Sequence, residues 1–147
     1  LCLSRQNLPF VPRDAATIDN IARGGYILSE AKNGKPKAII IATGSEVEIA
    51  LKAQAAMEAE IPVRVVSMPS TNVFDRQDAA YRESVLLKGV PRVAVEAGVT
   101  DGWYKYVGLE GAVVGLDRFG ESAPAGALFK EFGFTVSNLV KTVEQFI

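Results

Sequence analysis

Histidine is absent from the 147 residues of this chain. Any mechanism that needs an imidazole as base, proton shuttle or metal ligand therefore cannot be completed inside it. Cysteine occurs once, at Cys2, so no intramolecular disulfide is possible and one thiol makes no metal site. A reduced, cytosolic home is the expectation. Cys2 lies in the apolar string Leu1-Cys2-Leu3 with no histidine to activate it, which makes it a strand filler rather than a nucleophile. No charge excess exists either: 16 basic against 17 acidic side chains leave −1, without a basic footprint for nucleic acid or an acidic tail. The longest apolar runs, such as Ala38 to Ala42, are too short to cross a bilayer, and no signal-peptide pattern is present.

What is there is enough for one domain. Hydrophobic residues make up 48% and charged residues 22%, which excludes disorder and collagen-like order and supports a sizeable core. The chain opens on Leu1-Cys2-Leu3-Ser4, which reads as the end of a strand, and residues 5–12 carry Gln, Asn and two prolines in the manner of a linker. The expectation is a chain cut from a longer protein near a domain boundary. Residues 1–13 would then be the end of a preceding domain with its linker, and residues 14–147 a domain of their own.

From Asp14 onward the pattern is regular. Asp14 to Ala22 suits a short helix, Arg23-Gly24-Gly25 a break, and Tyr26-Ile27-Leu28 a strand. Asn33-Gly34 is a turn signal, but the loop exceeds two residues, and the reading here is an antiparallel edge strand. Lys37 to Thr43 is a continuous apolar run, as in a parallel strand covered on both faces. Ser45 and Glu48 have capping-box spacing ahead of a helix to about Ala59, with Val47, Ala50, Leu51, Gln54 and Met57 inward. Val63 to Met68 is the next buried strand, and residues 70–87 hold one or two short helices. Arg92 to Glu96 and Ala112 to Leu116 are further strands, with Thr100 capping an aromatic helix between them. Pro124 opens a helix that stops at Gly133, and Thr135 caps a last helix striped by Val136, Leu139, Val140, Val143 and Ile147. This alternation predicts an α/β fold: a three-layer, open, mostly parallel mixed sheet with helices on both faces.

In such sheets, sites form at the carboxyl ends of strands. The candidates are Thr43-Gly44-Ser45, Ser67 to Thr71, Glu96-Ala97-Gly98 and Asp117 to Gly120. The first resembles a small anion cradle, but Glu46 and Glu48 fill that first turn with negative charge, so a cap is the better reading. Dinucleotide and P-loop spacings are missing. Glu96 is either a base or ion-pair partner, or a hydrogen-bonded acid at the core's edge. Trp103, Tyr104 and Tyr106 suit packing or an interface better than base stacking. Asp75, Asp78, Arg76 and Arg82 read as a solvated, salt-bridged face.

Beyond pattern, several strings resemble the C-terminal domain of transketolase. They include Ser4-Arg5-Gln6-Asn7, Ile41-Ala42-Thr43-Gly44-Ser45-Glu46-Val47, Met68-Pro69-Ser70-Thr71, and the run from Phe74 to Leu86. Val95-Glu96-Ala97-Gly98, Trp103-Tyr104-Lys105-Tyr106 and Phe119 to Pro124 continue the likeness along the chain. The resemblance implies a parent enzyme that uses thiamine diphosphate and a divalent metal (Mg or Ca) to move a two-carbon ketol unit from a ketose phosphate to an aldose phosphate. It implies a cytoplasmic homodimer whose cofactor, metal and catalytic histidines belong to preceding domains. This fragment would then be inactive alone and contribute no catalytic, cofactor or metal residue. Arg5 is the one functional residue the resemblance carries over, as a ligand of the sugar phosphate, a task that suits a planar, permanently charged guanidinium. Two alternatives stand beside this one: a ligand-binding or regulatory α/β module, and the same domain of a related thiamine enzyme such as dihydroxyacetone synthase or a deoxyxylulose-phosphate synthase.

Overall fold

The computed structural model describes residues 6–147. Five strands form one mixed sheet: β1 (Tyr26–Ser29), β2 (Ala38–Ala42), β3 (Val63–Ser67), β4 (Arg92–Val95) and β5 (Ala112–Val114). Their order across the sheet is β1-β3-β2-β4-β5, with β1 antiparallel to β3 and every other pairing parallel. The edge position and antiparallel sense of β1 are as read from the sequence. Its partner, however, is β3 and not the neighbouring β2, whose two edges are taken by β3 and β4.

The apolar run of β2 is buried at all five positions because side chains alternate between two cores. Ile40, opposite Val65 and Val93, faces one layer; Ile39 and Ile41 face the other. The Ile40 side is covered by α2 (Val47–Met57) and α7 (Val136–Glu144), which present Ala50, Ala53, Met57, Leu139 and Val143. The opposite side is covered by α3 (Thr71–Asp75), α4 (Ala79–Val85) and α5 (Asp101–Val107) through Phe74, Val85, Trp103 and Tyr106. Two further helices, α1 (Ala15–Ile21) and α6 (Ala125–Glu131), complete the set. No described helix is long and apolar enough to cross a membrane.

Side-chain caps fix several helix starts. Asp14, Ser70, Asp78 and Thr135 accept N–H groups from the first turns of α1, α3, α4 and α7. The capping box expected at Ser45 and Glu48 does not form. Gly44, at φ +56°, starts a one-turn 3₁₀ segment, Gly44–Glu46, so Ser45 sits inside it and α2 begins at Val47. Glu48 reaches forward to Lys52 instead. Of the residues expected inward on α2, Gln54 has the most specific role: its amide donates to the Val63 and Glu30 carbonyls at 2.8 and 3.2 Å, pinning the helix to the sheet. Along the last helix the apolar stripe packs as expected except at Ile147, which is 52% exposed.

Gly24 is a close approach that only glycine permits. Its φ is +84°, and a Cβ there would lie 2.4 Å from the Ser70 carbonyl oxygen and 2.5 Å from the Phe74 nitrogen. The N-terminus of α3 is thus seated directly on the turn that precedes β1, and the Ser70 N–H donates to the Gly24 carbonyl.

Candidate functional site

From β2 the chain moves to β3 on one side, while β4 lies on the other. The crevice above the carboxyl ends of β2 and β4 is therefore the switch point of the sheet. A cavity of about 900 Å³ opens there, and its walls include Gln6, Ser45, Glu46, Ser70, Glu96 and Trp103. Three of the four strand-end strings picked out from the sequence meet in it. The fourth, at Asp117, is drawn aside: its carboxylate accepts both the N–H and the hydroxyl of Thr100 at 2.8 Å, clipping the β5 exit to the start of α5.

Two carboxylates shape the crevice. Glu46, in the 3₁₀ segment, is only 3% exposed. Burial raises its pKa, although hydrogen bonds from its own N–H, the Ser45 hydroxyl and the Ala97 N–H oppose the rise. Glu96, at the end of β4, is pushed up to about 7 by burial and by the neighbouring charge of Glu46. Its Oε2 is buried and has no hydrogen-bond partner among the described residues. Among the described residues Glu96 is therefore neither ion-paired nor fully hydrogen-bonded: it is a carboxyl group able to hold a proton near neutral pH, with an unused oxygen. Nothing in the sequence marked Glu46 as its partner, because an acid in a first turn reads as a dipole stabiliser.

The pair can donate or accept a proton, but this chain supplies no histidine to work with it. Among the described residues, no group of three or more His, Cys, Asp or Glu side chains is placed to hold a metal ion. Arg5 and Cys2 lie outside the described residues; Gln6, next to Arg5 in sequence, lines the crevice. Trp103 and Tyr106 are buried and pack within the second core, while Tyr104 is 53% exposed. The expected solvated face at 75–82 is more structured than its composition suggests. Asp75 binds Lys105 and the Tyr106 hydroxyl at 2.6 and 3.0 Å, and Asp78 caps α4.

Sequence reasoning also passed over Arg64, the second residue of the wholly buried β3. Its guanidinium holds the Glu30 carboxylate at 2.6 Å and donates to the Ser84 and Val85 carbonyls at the end of α4. Burial alone would raise the Glu30 pKa; the hydrogen bonds and charge of Arg64 bring it below the usual value.

Comparison with known proteins places this arrangement in a family. The model of the transketolase-like C-terminal domain matches residues 24–135. Transketolase 1 of Escherichia coli K12 is 60% identical over the whole chain, and the chain covers 22% of that protein. Transketolase 1 of Vibrio vulnificus YJ016 is 57% identical, with the same coverage of both. Among solved structures, transketolase from Leishmania mexicana superposes with a TM-score of 0.82 at 44% identity, over 88% of this chain and 18% of that one. The Pichia stipitis enzyme in complex with sedoheptulose-7-phosphate gives 0.85 at 39%, over 97% and 20%. A split-gene transketolase, described as an inactive β4 tetramer, gives 0.70 at 29%, over 97% and 47%. The chain thus spans less than a quarter of the curated relatives it matches, and across that span it belongs to the transketolase C-terminal domain family.

Proposed function

We propose that this chain works as the C-terminal domain of a transketolase, inside an enzyme that transfers a two-carbon ketol unit from a ketose phosphate to an aldose phosphate in the pentose phosphate pathway. The observation that carries the reading is the 60% identity over the full chain to an enzyme of which it forms 22%. In this reading residues 1–13 are the end of the preceding domain and a linker, residues 14–147 are the domain, and Arg5 grips the substrate phosphate. The enzyme is a cytoplasmic homodimer.

The donor set of this chain does not suit thiamine diphosphate with its magnesium or calcium ion. Histidine is absent and the described acids form no metal-holding group, so both would be held by the preceding domains. The inactivity named for the split-gene tetramer supports the corollary that this domain alone performs no transfer.

A ketol-transfer assay with thiamine diphosphate and magnesium tests the division of labour. The purified chain should show no turnover, and the same chain fused behind the two preceding domains of a transketolase should restore it. Turnover by the chain alone would refute the division; a folded fusion without activity would refute the family role. A second reading, a regulatory module at the strand-end crevice, rests on the unpartnered Oε2 of Glu96. Saturable calorimetric binding of a nucleotide or metabolite that is lost in Glu96→Gln would favour it.

A further inference from the structure

A second cavity, of about 290 Å³, opens between α3, α4 and the C-terminal end of α5, and it shares no lining residue with the strand-end crevice. Four cations line it, Arg82, Lys88, Arg92 and Lys105, against two carboxylates, Asp75 and Glu83. The local excess is therefore two positive charges in a chain whose net charge is −1. We propose that this cavity binds a small phosphate monoester, with Arg82 as its anchor. The inference is independent of the transketolase reading.

The four cations differ in what they already hold. Arg92 is committed to structure: it donates to the carbonyls of Tyr106, Leu86 and Leu87 at 2.8, 3.1 and 2.9 Å, closing the ends of α4 and α5. Lys105 holds Asp75 at 2.6 Å, and Lys88 holds Glu83 at 3.0 Å with both side chains largely exposed. Arg82 alone is uncommitted. It is half-buried, closes no ion pair among the described residues, and its Nε is buried without a hydrogen-bond partner. Its charge reaches Asp75 only at longer range.

A half-buried guanidinium without an acceptor is costly to desolvate and pre-positioned for an anion. The Lys88–Glu83 pair is exposed and weak, so a dianion beside Arg82 can draw Lys88 to itself. The excess of two charges matches a phosphate monoester. Phe74, Ala79 and Leu86 supply an apolar wall, which favours an ester with a short carbon body over the free ion.

Titration calorimetry on this chain, with glycerol 3-phosphate and inorganic phosphate as separate probes at constant ionic strength, tests the proposal. Glycerol 3-phosphate should saturate with a Kd on the order of 0.1–1 mM. Inorganic phosphate should bind several-fold more weakly. Arg82→Gln should weaken the ester at least 10-fold, a loss in the range of one charged hydrogen bond. Because Arg82 holds no structural partner, that variant should unfold at the same urea concentration as the parent, so loss of binding would not reflect loss of fold. No saturation by about 10 mM, equal binding of the two probes, or undiminished binding in Arg82→Gln would overturn it.

Discussion

The Glu46 carboxylate at the β2 exit and the Glu96 carboxylate at the β4 exit line one crevice, and the charge of the first raises the pKa of the second. Two acids thus meet at the middle of the sheet, and Oε2 of Glu96 has no hydrogen-bond partner among the described residues.

This arrangement has a defined pH signature. An acid whose folded pKa exceeds its unfolded value carries extra proton in the native state between the two, so stability falls as pH rises through that window. For Glu96 the window runs from 4.5 to about 7. Glu96→Gln removes the charge that is penalised above it. Urea unfolding should show the variant gaining about 1–2 kcal/mol on the parent between pH 5 and pH 8. A difference that stays flat with pH would mean that neither burial nor Glu46 raises the Glu96 pKa.

Arg64 ties the first half of β3 to Glu30 and to the end of α4. Arg64→Met keeps the apolar stem but leaves two carbonyls and one carboxylate without their donor. A loss of about 3 kcal/mol in unfolding free energy is expected, read as a lower urea midpoint. A loss under about 1 kcal/mol would show that water replaces the guanidinium without penalty.

Gly24→Ala is expected to be among the most damaging single changes. The added methyl meets backbone atoms of α3, and φ +84° is itself strained for alanine. About 3 kcal/mol or more should be lost, enough to lower the thermal midpoint by several degrees. A variant with parental stability would show that α3 can lift from the turn.

Arg5 is tested in a transketolase that contains this domain. Arg5→Ala should raise KM for phosphorylated substrates roughly 10- to 100-fold, the cost of one charge-assisted contact, and leave unphosphorylated analogues nearly unchanged. Equal effects on both classes would remove the phosphate role.

Much of the fold was legible because burial leaves strong traces. The apolar run from Ala38 to Ala42 could only be a strand covered on both sides, and Thr135 ahead of a 3.6-period stripe could only open a helix. Less legible were features that depend on distant chain. The partner of β1 is set by which strand edge is free, not by the turn that follows it. Ser45 and Glu48 have cap spacing, yet Gly44 tightens the turn and moves the helix start to Val47. For the crevice, the strand-end strings were identifiable, while the pairing of Glu46 with Glu96 was not, because it joins residues on separate strand exits. Arg64 was hidden for a related reason: its partners, Glu30 and the end of α4, are more than 15 residues away on either side.

The sheet places its longest, best-buried strands in the middle and ends in a four-residue β1 and a three-residue β5. The register of β1 also slips between Ile27 and Ser29. An incoming strand from another molecule would find few evenly spaced amide and carbonyl groups on either margin of the described sheet, which disfavours edge-to-edge polymerisation.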